Sequence, residues 1–211
     1  MTGSAQAGGQ ARAPDRGVAR RQAFLQAGRQ VFLEQGFEAA SVNDVVRLAG
    51  GSLATLYAQF GNKEGLFLAV TQEQHERFAR AITPDCLDDL TLEEGLQATG
   101  EKVVRALLDR DNLAFFRIIV GEGRKFPELM QRFVSTGADK ARDVIADFLR
   151  KRVPGIETPE IAASSFMEMV RARHHYRALS TENYALSDAE LTAHVAAIVR
   201  IFLHGVVPAK A

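Results

Sequence analysis

A glycine pair separates two short helical patterns near the N-terminus of this 211-residue chain, and this junction limits the fold more than any other feature. The apolar positions of the first pattern share one helix face: Val42, Val45, Val46 and Ala49. Gly50-Gly51-Ser52 ends that helix and caps the next, which is expected over 53–60. Two short helices joined by a tight glycine turn predict a helix-turn-helix, whose second helix can enter a major groove of DNA.

Helical patterns also flank this pair. Upstream, residues from about 17 place Phe24, Val31 and Phe32 on one face, and Gly36 stands where a helix C-cap is expected. Ser41, with Asp44 three residues on, predicts a capping pair at the start of the second helix. A fourth helix is expected over 63–82, before the interruption at Thr83-Pro84-Asp85.

The remainder of the chain also reads as helix, in segments near 91–109, 112–124, 127–152, 159–180 and 187–204. No window shows the alternation of strands, so the predicted fold class is all-α. We expect a flexible basic arm over 1–16 and a helix-turn-helix domain with its connecting helix over 17–82. A second helical domain is expected over 83–211.

Composition and charge indicate the compartment of the protein and the kind of partner it meets. The 26 basic and 26 acidic residues balance, yet the chain up to Lys63 carries three more positive than negative charges. This asymmetry favours an N-terminal part that meets an anion. A single cysteine, Cys86, excludes a disulfide framework, and neither a signal peptide nor a membrane-spanning run is visible. We therefore expect a cytoplasmic protein without membrane contact.

The residues of the third helix are typical of a DNA-binding helix. Leu56 and Phe60 are its expected core anchors, while the remaining positions carry small or uncharged polar groups. Small side chains allow close approach of the backbone to a duplex, and hydroxyl and amide groups reach phosphates or base edges. Without further evidence, a plain helical hairpin would remain the alternative.

The stretch 20–70 closely resembles the DNA-binding domain of the TetR family of transcriptional regulators. The matching positions occur in order: Phe32, Gly36-Phe37, Ser41, Asp44-Val45, Ala49-Gly50, Thr55-Leu56-Tyr57, Phe60, Lys63-Glu64 and Leu66. Three positions depart from the family pattern, namely Gly51, Ala54 and Gln59. Gly51 lacks the side chain that usually plugs the turn, which predicts a looser turn.

The resemblance implies site residues and partners. The DNA-binding residues would be Asn43, Ser52, Leu53, Ala54, Thr55, Tyr57, Ala58, Gln59 and the phosphate-binding Lys63. The resemblance also places a homodimer interface in the last two long helices, where we select Ala162, Ser165, Leu191, Val195, Ile198 and Phe202. It implies a repressor that binds a palindromic operator in double-stranded DNA and leaves it when a small effector binds.

The middle helices supply apolar side chains for an effector pocket: Leu107, Leu108, Phe115, Phe116, Ile119, Phe126, Leu129 and Phe133. From these we select Leu108, Phe115, Phe116, Ile119, Phe126 and Phe133 as effector-binding residues, and such walls favour a largely apolar ligand. The charges of Arg171 and Arg173 are expected on solvated helix faces.

Catalysis and metal binding find no support in the sequence. The adjacent His174 and His175 point about 100° apart on a helix and do not form a shared ligand set. No nucleophile or paired carboxylate stands in a catalytic pattern, so we expect neither an enzyme nor a cofactor. The alternative that stays open is a DNA-binding protein of the same fold without a small-molecule effector, acting through protein partners or DNA architecture.

Overall fold

The computed structural model describes residues 16–83, 87–127, 131 and 139–206, with only the backbone of Lys140. Within these ranges all regular secondary structure is helical, as predicted for an all-α chain. The helices are α1 (Arg16–Ala39), α2 (Val42–Ala49), α3 (Leu53–Phe60), α4 (Lys63–Ile82), a 3-10 turn (Leu87–Asp89), α5 (Leu92–Leu108), α6 (Arg110–Glu122), α7 (Asp139–Arg152), α8 (Pro159–Ser180) and α9 (Asp188–His204). Residues 1–15, Cys86 and Phe133 lie outside the described ranges.

Helices α1 to α4 pack around an aromatic core. Phe24, Phe32 and Phe67 are fully enclosed, and the Phe32 and Phe67 rings meet edge to face with centroids 4.8 Å apart. Leu56 on α3 enters the same core with no exposed surface. Gly36 adopts φ +76°, which ends the regular part of α1 where the sequence predicts a cap.

A second core fills the rest of the molecule. Leu96 and Val103 of α5 pack there with side chains from α7, α8 and α9, among them the fully buried Phe166. Reciprocal capping starts α9, because the Ser187 hydroxyl accepts from the Glu190 amide while the Glu190 carboxylate accepts from Ser187. The proposed boundary between residues 82 and 83 stays a prediction.

Helix α6 belongs to both parts of the molecule. Its Phe115 and Ile119 are buried in the core of α1 to α4, although the helix follows α5 in the chain. At the N-terminal end of α6, Asp111 forms a salt bridge with Arg29 of α1. Just beyond its C-terminal end, Lys125 binds the Glu38 carboxylate of α1 at 2.6 Å. Movement of α6 is therefore tied to α1.

In the described part of the chain, none of the helices has the length and apolar character needed to cross a bilayer.

Candidate DNA interface and effector pocket

Helix α3 buries one side and leaves the other open. Its single fully buried residue is Leu56, whereas Leu53 and Tyr57 are 37% and 46% exposed. Most of the predicted DNA contacts are exposed: Asn43, Ser52, Leu53, Ala54, Thr55, Tyr57 and Ala58. Gln59 and Lys63 are half-buried. An α-helix held by one face, with short side chains on the other, has the form required for insertion into a major groove.

Local hydrogen bonds define the start of the recognition helix. The Ser52 hydroxyl accepts from the Thr55 amide at 3.1 Å and lies 2.9 Å from the Thr55 hydroxyl. Ser52 is thus an N-cap residue first, and its contact with DNA stays a prediction. At α2, the Ser41 hydroxyl accepts from the Asn43 amide, while Asp44 binds Arg47 at 2.8 Å instead of completing the expected capping pair.

The turn between α2 and α3 is filled from α1. Gly51 has φ +142°, a backbone conformation that a side chain disfavours, and an added Cβ would lie 3.1 Å from the Phe24 ring. The Arg20 guanidinium donates to the Gly50 carbonyl and, at 3.4 Å, to the Ala49 carbonyl. The expectation of a loose turn is therefore wrong, because Phe24 and Arg20 occupy the space that Gly51 leaves open.

Lys63 binds protein backbone at the base of α4. Its Nζ donates to the carbonyls of Glu38 at 2.9 Å and Ala40 at 3.0 Å, and it lies 4.9 Å from the centre of the Phe37 ring. An ammonium group has three protons, so these two bonds leave one for another acceptor. Lys63 fixes the connection between α1 and α2, and its phosphate contact stays a prediction.

A basic groove runs beside α3. It is lined by Arg16 and Arg20 of α1 together with Thr55 and Gln59 of α3. Among the described residues, the Gln59 Oε1 atom is one of the buried side-chain atoms without a hydrogen-bond partner. A groove with two guanidinium groups beside the helix offers phosphate contacts next to positions that can read bases.

A cavity of about 160 Å³ lies between α4, α6 and α8. Its walls are formed by Thr71, Gln74, His75, Phe78, Leu107, Asn112, Phe115, Phe116, Ile119, Met167, Glu168, Arg171 and His175. Aromatic and aliphatic groups dominate, and polar atoms are few. This composition is typical of sites for small organic ligands.

Three polar residues of α8 line the cavity, namely Glu168, Arg171 and His175. His175 is 2% exposed, and its ring meets the Phe116 ring edge to face at 4.8 Å. Burial, followed by the nearby charge of Arg171, lowers the pKa of His175 to about 4, so the imidazole is neutral at pH 7. Arg171 donates from Nη1 to Glu168 at 3.1 Å, and its guanidinium carbon lies 5.8 Å from the centre of the Phe116 ring.

The neighbouring His174 faces a different environment. Its Nδ1 lies 2.6 Å from the Tyr184 hydroxyl, and its ring centre is 4.3 Å from that of His194. The two adjacent histidines therefore diverge, as expected. Within the described residues, no group of three or more His, Cys, Asp or Glu side chains could hold a metal ion.

Comparison with known proteins identifies the family. Residues 24–70 match "Bacterial regulatory proteins, tetR family", and residues 94–205 match "AefR-like transcriptional repressor, C-terminal domain". The chain belongs to the TetR family. It is a DNA-binding transcriptional regulator and not an enzyme.

Curated relatives named as helix-turn-helix-type repressors match through part of their length. The transcriptional repressor ComR of Escherichia coli is 46% identical over 59 residues, 28% of each chain. The transcriptional repressor AcnR of Corynebacterium efficiens is 36% identical over 73 residues, which cover 35% of this chain and 39% of AcnR. The matched segments thus span less than two-fifths of these relatives.

Solved structures of regulators match over nearly the whole chain. A regulator from Mesorhizobium loti has a TM-score of 0.81 at 24% identity, covering 90% of this chain and 97% of the other. The flavonoid-responsive regulator FrrA has a TM-score of 0.73 at 30% identity, covering 87% and 95%. Both comparisons agree with the helical order described above.

In this TetR-family regulator, the cavity contains only part of the predicted effector set. Phe115, Phe116 and Ile119 line it, but Leu107 does so in place of Leu108, whose side chain packs into the second core. Phe126 does not line the cavity, because its ring packs on Phe37 of α1 with ring centres 5.0 Å apart. Phe133 lies outside the described residues.

The cavity walls from α4 and α8 were not predicted from the sequence. Arg171 is not on a solvated face, since 22% of its side chain is exposed, whereas Arg173 is exposed as expected. The sequence feature that indicates the α8 wall is the i, i+4 spacing of Arg171 and His175, because it places both residues on one side of a helix.

The predicted dimer set also divides between surface and core. Leu191 and Val195 are 4% and 0% exposed within one chain, so they supply core packing and no free surface. Ala162, Ile198 and Phe202 are half-buried, and Ser165 is exposed. Leu191 and Val195, in the N-terminal half of α9, pack with residues of α5 and α8.

Proposed function

We propose that this regulator is a repressor that binds a palindromic operator as a homodimer and is released by a small molecule. The observation that carries the proposal is the open face of α3, where residues from Leu53 to Tyr57 are exposed except for the anchoring Leu56. The relatives ComR and AcnR are named as repressors, which supports the direction of regulation.

Operator binding can be tested by selection from random duplex DNA with the purified full chain. Because a dimer presents two recognition helices, we expect enrichment of inverted repeats whose half-sites lie one helical turn apart or a multiple of it. Thr55→Ala and Gln59→Ala should change the preferred half-site. Failure to enrich any sequence over random DNA at moderate salt would contradict the proposed function.

The dimer is proposed to form on the outer faces of α8 and α9. Ile161 is 65% exposed, and Ser165 lies one turn further along the same side of α8. An apolar residue beside small exposed ones suits close approach of a partner helix. A two-fold arrangement would make this surface contact its own copy.

Light scattering on two matched variants tests this surface. Ile161→Glu would bury an unpaired charge in the dimer and should therefore yield monomers. Val120→Glu is the control, since Val120 on α6 is 51% exposed and lies outside the proposed interface. If the Ile161 variant remains a dimer, the interface lies on another surface.

The cavity between α4, α6 and α8 supports release by a small molecule. It adjoins α6, which is linked to α1 through Arg29 and Asp111, so a ligand that shifts α6 acts on the DNA-binding helices. FrrA, of the same fold, is described as flavonoid-responsive. An effector should raise the melting temperature of the free protein and weaken its operator binding. If no compound in a library of apolar molecules changes either the melting temperature or operator binding, the alternative without an effector is favoured.

A further inference from the structure

Two buried polar atoms in the cavity wall lack partners. Among the described residues, His175 Nδ1 and Arg171 Nε are both shielded from solvent without a hydrogen bond. They lie one helical turn apart on α8, and both residues line the cavity. A buried polar group without a hydrogen-bond partner is destabilising, so a ligand that satisfies these atoms gains affinity from them.

Other polar groups around the cavity are already occupied. The Gln74 side chain accepts from Arg29 at 3.2 Å and donates to the Asn112 oxygen at 2.5 Å. The Asn112 amide group donates in turn to the Ala106 carbonyl, and the Thr71 hydroxyl donates to the Phe67 carbonyl at 2.9 Å. The polar end of a ligand is therefore directed to the α8 wall.

The rest of the cavity accepts an apolar ring. Phe115, Phe116 and Ile119 line it together with Phe78 and Met167. Its volume of about 160 Å³ is close to that of engineered apolar cavities, ~150 Å³, that take up benzene. A compound of one or two fused rings fits this space.

The hydrogen-bonding capacity of these two atoms limits which polar group a ligand can place beside them. Arg171 Nε can only donate, whereas a neutral imidazole nitrogen either donates or accepts. Glu168, 3.1 Å from Arg171, already balances the guanidinium charge, so a second full negative charge would meet a compensated site. A hydroxyl group can accept from Arg171 and donate to His175 while remaining neutral.

We propose that the effector is a hydroxylated aromatic compound whose phenolic oxygen binds Arg171 Nε and His175 Nδ1. This inference rests on the proposed effector-dependent function and specifies the chemistry of the same cavity. The aromatic body would occupy the space beside Phe116, and the hydroxyl would complete the polar wall of α8.

The first test compares four compounds by calorimetric titration of the purified protein: 2-naphthol, naphthalene, 2-methoxynaphthalene and 2-naphthoate. We expect 2-naphthol to bind tightest, and naphthalene and the methyl ether to bind about 5- to 100-fold more weakly, because they leave donors or acceptors unpaired. The absorption spectrum of bound 2-naphthol should be that of the neutral phenol.

The second test uses His175→Phe and Arg171→Gln, with the exposed Arg173→Gln as the matched control. His175→Phe removes an unsatisfied polar atom and keeps a ring of similar size, so it should melt at the same or a higher temperature while binding 2-naphthol more weakly. A purely structural role for His175 would lower both together. Arg171→Gln should also weaken the binding of 2-naphthol, whereas Arg173→Gln should leave it unchanged.

The outcomes separate this inference from the proposed function. Equal binding of naphthalene and 2-naphthol, with loss of operator affinity, would overturn the phenol anchor and keep the effector function. If 2-naphthoate binds tightest, the site prefers an aromatic carboxylate to a phenol, and the inference is overturned. If none of the four binds, the inference fails, and the effector function is then decided by the wider apolar library.

Discussion

The guanidinium of Arg29 on α1 is paired with the carboxylate of Asp111 on α6, which joins the helix-turn-helix domain to a wall of the cavity. The next residue of α6, Asn112, lines that cavity and binds Gln74 of α4. We therefore expect α6 to transmit the effect of a ligand in the cavity to α1 through this pair. Coupling between two sites requires such an element, with an equilibrium that both sites can shift.

Asp111→Asn should reduce the effect of an effector on operator binding without greatly changing stability. Both side chains of the pair are partly exposed, and such pairs contribute only about 0–1 kcal/mol. Effectors typically change affinity about 5- to 150-fold, and we expect that factor to fall severalfold in the variant. Operator titrations with and without the compound that most raises the melting temperature measure the change.

Asp188→Asn is the matched control for this prediction. Asp188 binds Arg105 at 3.1 Å and joins α9 to α5, away from α1. Its replacement should leave the coupling factor intact. An equal loss of coupling in both variants would show that the Arg29–Asp111 pair has no special part in transmission.

Lys63→Ala should weaken operator binding nearly uniformly across sequences and flatten its salt dependence by about one phosphate contact. The variant should also melt at a lower temperature, because the Glu38 and Ala40 carbonyls lose their donor. Lys102→Ala is the control, since Lys102 donates in the same way to the Thr83 carbonyl at the far end of α4. It should lower stability and leave the salt slope unchanged. Identical salt slopes in wild type and both variants would exclude a phosphate contact by Lys63.

Gly51→Ala should destabilise the protein, whereas Gly121→Ala should stabilise it. Gly51 has φ +142° and a Phe24 ring atom 3.1 Å from the added Cβ, so the cost is about 1–3 kcal/mol. Gly121 lies inside α6 with open space around it, where alanine is favoured by about 0.5–1 kcal/mol. Urea denaturation measures both changes, and the same sign for the two would contradict the strained turn.

Ala172→Gly should be neutral or stabilising, although glycine usually weakens a helix. Ala172 has φ +30° and ψ −138° inside α8, a conformation that costs an alanine about 1–3 kcal/mol. The control is the exposed Ala193 of the regular helix α9, where glycine should cost about 1 kcal/mol. Equal destabilisation of the two variants in urea would show that α8 is regular at Ala172 in solution.

Stability should fall as the pH drops from 6.5 towards 4, partly because of His175. Its pKa is lowered from 6.5 to about 4 by burial and by Arg171. In that interval the unfolded chain binds a proton that the folded chain excludes, so the free energy of unfolding rises with pH. The stabilisation is complete above pH 6.5 and is lost on acidification.

His175→Phe should therefore reduce the difference in melting temperature between pH 7 and pH 5. Some pH dependence will remain, because burial and the neighbouring His194, Arg173 and Arg177 also lower the pKa of His174, against an opposing effect of Glu190. The exposed His204→Phe is the control, since it leaves the cavity wall intact. An equal difference in melting temperature between pH 7 and pH 5 for wild type and both variants would show that His175 does not contribute to the loss of stability in acid.

The amino-acid sequence by itself determined the helix-turn-helix. Its features are local: Ser52 caps the helix that begins at Leu53, Leu56 falls on the buried side, and Gly36 ends the regular part of α1. Caps and turns depend on neighbours a few residues away, so spacing alone predicts them. The resemblance of residues 20–70 to the TetR family then supplied the role of the exposed side of α3.

Only the tertiary structure decided what each apolar face packs against. Periodicity showed that Leu191 and Val195 are buried, but burial against α5 and α8 has the same sequence pattern as burial against a second copy of the chain. Phe126 was likewise apolar, and its partner proved to be Phe37, 89 residues earlier. The cavity combines three helices distant in sequence, so the meeting of Gln74, Phe116 and His175 depends on how those helices pack.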